Sequence, residues 1–582
     1  MVAKTKRKPA RLRLGILCWL CLGWLASSSS AYAFEPGAQI EAAKHRAQAR
    51  EQSAMGWRLA IATSALILVA VPLLSRRSTR KLSKQSESDD PDFGTSAATI
   101  AVDSRIERVR VGLLMLLAVA SLASYYGLFQ PRYGAGFKDT DVYHYYMASK
   151  YFSEVGYFDL YHCTVLALTD SGVESRFALP EVRDQRTLHI HTPETALAAA
   201  LQCRKQFSGD RWLEFADDVA WFDGKFRADQ WRLLLRDHGY NPSPVWNAIG
   251  GAITSRVPLR SAAFRWLINF DRVLMLGVFG LIVWAFGVEV AALSAIVWGT
   301  GQHWSHSWIG DSLLRNLWLF AVIAGLCSLK KGKEFLAGAF LSLASLLRVF
   351  PAIFVLGFAV HCGSRMRRNL DVGWRPGALR FALGATSVGL LLLLFAALSS
   401  EWGATAYLEF YEKISVFSDK NSLNKLGLSS LIWRAIMMGT GHLTTGADGN
   451  VSLSLYAPTW LPYVIRGVQL AVVVPALFLF WRATGRIRAW EASALGFALI
   501  PLLSNPANYY FAFVICGALL AIQRPRIQVI VLASAALWIA NGLWFYRLPE
   551  EYLGAGIIAV TLPLAMLYEM SREPSYDCSA RA

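Results

Sequence analysis

Long apolar runs recur along this 582-residue chain with short basic segments between them, and that pattern leaves few ways to fold. A backbone in lipid has no water to bond, so each run must satisfy its own N–H and C=O groups as a helix. Hydrophobic residues make up 54% of the chain and charged ones 17%, against about 25% in soluble domains. Mean hydropathy is +0.35. Disordered, collagen-like and disulfide-scaffold classes are excluded, as is an ordinary cytosolic enzyme. The expectation is an all-α polytopic membrane protein.

The net charge of +17 would suggest nucleic acid in a soluble protein. Here the Lys and Arg residues fall in short loops between apolar runs, where they act as orientation signals and attract anionic headgroups. No nucleic-acid partner is expected; the bilayer is. Lys4, Lys6, Arg7, Lys8, Arg11 and Arg13, a short apolar stretch and an A-x-A site ending at Ala33 read as a secretory signal over 1–33, with an uncleaved anchor as the alternative. Phe34 then lies outside the cytoplasm, and a bacterial inner membrane fits best.

From Phe34 the topology can be walked. Spans are expected at 57–74 and 111–129, then at 273–287, 290–302, 312–329, 335–347, 351–362, 378–398, 458–481, 490–503, 510–522, 527–545 and 556–570. Several are shorter than the roughly 20 residues of a straight span, so broken or re-entrant helices are expected. One crossing per run puts the basic loops 76–84, 330–334, 364–368, 482–488 and 523–526 all inside, for about 13 spans. The expected divisions are a signal (1–33), N-terminal spans (34–129), an external loop (130–271), a multi-span bundle (272–570) and a cytoplasmic tail (571–582).

The chemistry then collects on the outer, periplasmic face. No phosphate-binding glycine loop is present, which argues against a nucleotide-driven pump. Cys163 and Cys203 are the two external cysteines, an even pair in an oxidising space, and are expected to form a disulfide. Asp139 and Asp141 stand where the chain leaves the second span, followed by Tyr143, His144, Tyr145 and Tyr146. A carboxylate there can take a proton from a hydroxyl, and the rings can stack on sugar faces. Pro351 breaks the hairpin between the basic loops at 330–334 and 364–368, setting Arg348 on or near the outer face. Lys420 and Lys425 are candidate second phosphate contacts. His303, Trp304, His306, Asn508 and Tyr509 are candidate sugar contacts; Arg315 and Asn316 read as polar glue within the bundle. His189 and His191 could be a metal pair, but no third ligand stands at a telling spacing, and neither metal nor cofactor is assigned.

The segment from Asp141 to Ser149, with Tyr145 four and Ala148 seven residues after the Asp, then Gly156 and Leu160-Tyr161, resembles the signature of polyprenol-phosphate-dependent glycosyltransferases with a DUF2029 domain. These are GT87-type enzymes, the α-mannosyltransferase branch of the GT-C superfamily. YNPSPVW (240–246), LLRVFP (346–351), the Asn/Ser-rich stretch 418–434 ending in Arg434, and LSNPANYYFAF (503–513) are similar to further family segments in the same order. The resemblance covers about 110–545. Two departures stand out: residues 162–239 intervene as a helical insert, and Ser243 separates the prolines.

The resemblance implies a GT-C-like bundle with an external helical subdomain and Asp141 as general base, with Asp139 as helper, metal contact or bystander. Independently of the resemblance, the position of Arg348 at its turn points to the donor phosphate, with snorkelling to lipid headgroups as the alternative. It implies inverting transfer of a hexose, by family default mannose, from a polyprenyl-phosphate-linked sugar to a glycan or lipid acceptor. The alternatives are a polysaccharide or lipid transporter, for which Glu289 and Arg58 are the ionisable candidates, and a non-catalytic assembly factor acting through the insert.

Overall fold

The computed structural model describes residues 37–85, 97–127, 139–172, 181–368, 375–418, 422–445, 451–453, 458–546 and 548–574, with side chains over a slightly narrower set. The expected signal, Lys420 and the side chain of Asp139 lie outside the described residues. Helices dominate throughout, and every apolar run after residue 272 falls on one: Ala262–Phe286, Val288–Gly299, Leu317–Lys330, Glu334–Leu347, Ala352–Arg367, Arg375–Leu398, Leu461–Thr484, Ala489–Leu503, Asn508–Leu520, Pro525–Trp544 and Pro549–Ser571. Six of the described helices are long and apolar enough to cross a membrane, Gln48–Leu73 being the sixth beside Ala262–Phe286, Arg375–Leu398, Leu461–Thr484, Pro525–Trp544 and Pro549–Ser571. The chain is therefore an all-α, multi-pass membrane protein in its architecture. Leu390, Leu391 and Leu394 leave about 60% of their surface uncovered on one helix, a face that suits acyl chains rather than water.

Small residues let the helices approach closely. Glu334–Leu347 packs along Arg375–Leu398. A Cβ on Gly338 would meet the Phe381 carbonyl at 2.0 Å, and one on Gly384 would meet the Phe335 carbonyl at 2.0 Å. Any larger residue at either position would force the pair apart.

Two expectations are corrected. Residues 130–271 were expected to hold no part of a span, yet the first long helix after that loop begins at Ala262. Arg265, Asp271 and Arg272 interrupt its apolar run, but Asp271 is internally satisfied by the backbone N–H groups of Arg315 (2.9 Å) and Asn316 (3.0 Å). The insert is not purely helical either. Helices at Pro193–Ala200, Gly209–Asp223 and Ala228–Leu235 are joined by a short antiparallel ribbon that pairs Val182 with His191 and Arg183 with Ile190. A further apolar helix, Leu428–Gly439, begins within the Asn/Ser-rich stretch 418–434.

Ser208, Thr192 and Ser243 cap helices at their N-termini, each accepting a backbone N–H three residues on. The insert is tied to the Asp139–Lys150 helix by Lys150, whose ammonium meets Asp218 at 2.6 Å and Glu214 at 2.8 Å; Tyr151 donates to Asp218 at 2.8 Å. Cys163 and Cys203 are joined as a disulfide, with Cα atoms 5.4 Å apart.

The two ends of the bundle differ in charge. Lys330, Arg486, Arg488, Arg524 and Arg526 line one cavity of about 930 Å³ with Glu491, Glu569 and Glu573. Arg368 donates to the Gly485 carbonyl at the same end (3.1 Å). Four of the basic loops thus lie together. Leu317–Lys330 and Glu334–Leu347 run from that end to Asn316 and Arg348 at the other.

Candidate functional site

At the end away from the basic cavity, four side chains form a continuous polar chain. Asp141 and Tyr145 share a face of their helix, four residues apart. Arg315 Nη1 lies 3.5 Å from Asp141 Oδ2, to which Ser312 also donates at 3.3 Å. The same nitrogen donates to the Tyr145 hydroxyl at 2.8 Å, and Arg348 Nη2 donates to that hydroxyl at 2.6 Å. Asp141 keeps about 19% of its side-chain surface open, whereas Arg315 keeps 8%. Burial raises the pKa of the Tyr145 hydroxyl against the pull of the two guanidiniums, so the phenol stays neutral and accepts from both. Among the described residues no carboxylate pairs with Arg348, so two guanidiniums share one phenol beside a single carboxylate.

Aromatic rings wall the cluster. Arg315 lies 4.6 Å from the Tyr509 ring centre, and Arg348 lies 5.7 Å from that of Tyr510. Tyr145 sits edge-on to Trp246 (4.9 Å) and Tyr240 (5.8 Å). Ser243, the residue between the two prolines, donates to the carbonyl of Leu346 and fixes this segment against the Arg348 turn. Lys425 is buried and bridges Ala507 through its backbone, and Leu426 N–H donates to the Pro506 carbonyl (3.0 Å). The loop containing Lys425 is thereby laid against the segment that carries Tyr509. The Arg315 loop is itself strained, with Asp311 and Leu314 both in the left-handed region. A bidentate bond from Arg272 to Asp311 (3.0 and 2.9 Å) holds it.

Not every candidate side chain faces this cluster. Tyr143 packs edge-on to Phe222 and Trp231 inside the insert and bonds Thr164, and Tyr146 donates to the Val257 carbonyl and packs on Phe264. Helical spacing explains this, since only every third or fourth residue shares the Asp141 face. Trp304 is a core residue: its indole donates to the Trp298 carbonyl (2.9 Å) and packs on Trp538. His303 and His306 are buried beside it, His306 lying 3.3 Å from Asp311. Asn508 is fully buried, and its side-chain amide has no hydrogen-bond partner among the described residues. His189 is exposed, and among the described residues His191 groups instead with His162 and Asp184.

The residue that sequence reasoning undervalued is Arg315. Its place just before an apolar helix suggested intrabundle glue, but it touches both Asp141 and Tyr145. The other ionisable candidates are internally paired: Glu289 with Arg110 at 2.6 Å, and Arg58 with Ser124 at 3.4 Å. Arg110 also pairs with Glu107, so Glu289 belongs to a three-residue ionic group at its end of the helix.

Comparison of the chain with protein-family models, with curated proteins and with solved structures finds no match.

Proposed function

We propose that the protein is a membrane glycosyltransferase that moves a hexose, mannose in the first instance, from a polyprenyl-phosphate donor to a glycan or lipid acceptor on the periplasmic face. The observation that carries this reading is the Asp141–Arg315–Tyr145–Arg348 chain, which sets a partly exposed carboxylate and two guanidiniums in one cluster. It is supported by the way four of the five segments that resemble the DUF2029, GT-C pattern meet at that cluster from distant parts of the chain, while the described part of 418–434 packs against the segment that carries Tyr509.

The topology that accompanies this reading has about 13 spans, the basic loops in the cytoplasm of a bacterial inner membrane and the Asp141 cluster outside. Helices of 14 residues are about 21 Å long, short of a hydrocarbon core of about 30 Å. Arg348 would then sit recessed into the outer leaflet's depth, where an ionised group is costly without a purpose. A phosphate on a prenyl tail arrives at that depth.

In the reaction, Asp141 accepts the proton of the acceptor hydroxyl as its oxygen bonds the anomeric carbon. The bond from that carbon to the phosphate oxygen breaks on the opposite side, and its electron pair leaves on the prenyl phosphate. Arg348 stabilises the anion that forms. Arg315 orients Asp141. Attack opposite the leaving group inverts the centre, so a β-linked donor yields an α-linked product.

The test is transfer from a radiolabelled polyprenyl-phosphate hexose by the protein reconstituted in lipid, compared with Asp141→Asn. The reading expects activity in the wild-type chain and loss of at least about 10³-fold in the variant at equal insertion. Undiminished transfer by Asp141→Asn, or no transfer with any such donor, refutes it.

A further inference from the structure

The insert contains a second polar constellation, built from residues the proposed reaction does not use. His162 stands in the first turn of the helix Leu160–Asp170, His191 on the second strand of the ribbon, and Asp184 in the turn between the two strands. One ligand atom from each lies within 4.8 Å of the other two. The two imidazole rings stack at 25°, with centres 6.2 Å apart.

Two features separate this from a chance surface cluster. His162 Nε2 and His191 Nδ1 are both buried from solvent, and neither has a hydrogen-bond partner among the described residues. A buried ring nitrogen left without a bond is unfavourable, and two such imidazoles grouped with one carboxylate is an arrangement that an ion would satisfy. Asp184 is also held in place: the backbone N–H groups of Arg186 and Thr187 both donate to its Oδ1 at 2.8 Å, and among the described residues no backbone group binds its other oxygen. The carboxylate is thus oriented by the turn itself.

We propose that His162, Asp184 and His191 bind one divalent transition-metal ion of the zinc class. Two imidazoles and one carboxylate are a donor set that suits zinc, whereas calcium and magnesium call for oxygen ligands alone. Zinc bonds of about 2.0–2.1 Å set neighbouring donors roughly 3.3 Å apart in a tetrahedron, so small side-chain rotations close the site. Three protein ligands leave the fourth position for water. The ion would clamp the ribbon to the helix that begins at Leu160, next to the Cys163–Cys203 disulfide, so that the insert carries two crosslinks on one helix. This inference is independent of the proposed transferase activity.

The test uses the full chain, purified metal-free in detergent without a histidine tag, and titrated with Zn²⁺ and Co²⁺. One equivalent of Zn²⁺ should bind and raise the melting temperature, and Co²⁺ should give the visible absorption of a four-coordinate site. His162→Gln and His191→Gln should each weaken binding by more than about 100-fold, because loss of mere outer-shell partners already costs 10–100-fold. His189→Gln, an exposed neighbour outside the cluster, should bind as the wild type does. Absence of a saturable one-to-one Zn²⁺ site in the wild-type chain overturns the proposal. Retention of that site by both His162→Gln and His191→Gln overturns it equally.

Discussion

Arg348 Nη2 donates to the hydroxyl of Tyr145 over 2.6 Å, although the two residues are 203 positions apart. The same hydroxyl accepts from Arg315, so a single phenol holds two guanidiniums that would otherwise repel each other. Like charges at such spacing are tolerated when a counter-anion is expected between or beside them. A lipid phosphate supplies that anion in the proposed reaction.

Replacing Tyr145 by Phe removes the shared acceptor while keeping the ring against Trp246. Transfer should fall about 10-fold, from loosened guanidiniums. Arg348→Ala should fall further, by about 10²–10³-fold, as the loss of a donor to developing negative charge does elsewhere. Steady-state rates on the reconstituted protein, with the donor varied, would check the order. Equal rates for all three chains would contradict it.

Lys150 is nearly covered, and its partner Asp218 is as well. Asp218→Ala should destabilise the chain by about 3 kcal/mol, the low end for a broken buried pair because Glu214 still reaches the ammonium. Denaturant or thermal unfolding in detergent would read this, with the loss expected first in protease resistance of the insert.

Lys413 donates to the Gln185 carbonyl (3.1 Å) and side chain (2.7 Å) deep against the insert. Burial pushes its pKa down to about 7. In the unfolded chain it returns to about 10.4. Between those values the unfolded state binds the extra proton, so this residue makes stability rise with pH from about 7 upward. Below about 7 its penalty is constant. Lys413→Met should flatten the pH dependence of the melting temperature between pH 7 and 9; an unchanged slope would show that the lysine is not buried in solution.

The Cys163–Cys203 bridge closes a loop of 40 residues. A crosslink of that span is worth about 4 kcal/mol against the unfolded chain by loop entropy. Mass mapping under non-reducing conditions should recover the two cysteines as one linked peptide. The Cys163→Ser/Cys203→Ser chain should unfold at markedly lower denaturant; two freely alkylated thiols in the wild-type protein would count against the bridge.

Much of this architecture is written locally. Hydropathy is a property of neighbours in the chain, so every apolar run after residue 272 could be placed on a helix from composition alone. The basic loops could be sorted to one end for the same reason, and four of them do meet there. Asp141 and Arg348 were legible because each stands beside a break in an apolar run.

What the sequence left open depends on which helices touch. Arg315 looked like bundle polarity until packing brought it against Asp141, 174 positions upstream and on another element. The helix starting at Ala262 was hidden by Asp271, whose charge is answered by backbone groups from a loop more than 40 residues away. Tyr143 and Tyr146 could not be told from Tyr145 by composition, since only the helix's rotation against the insert decides which ring faces the cluster. His191 was visible as half of a pair, but its neighbours His162 and Asp184 arrive from a helix and a turn that share no sequence period. Local chemistry determines what each segment becomes. Only the close packing of distant segments, which depends on shape along their whole length, decides which polar atoms meet.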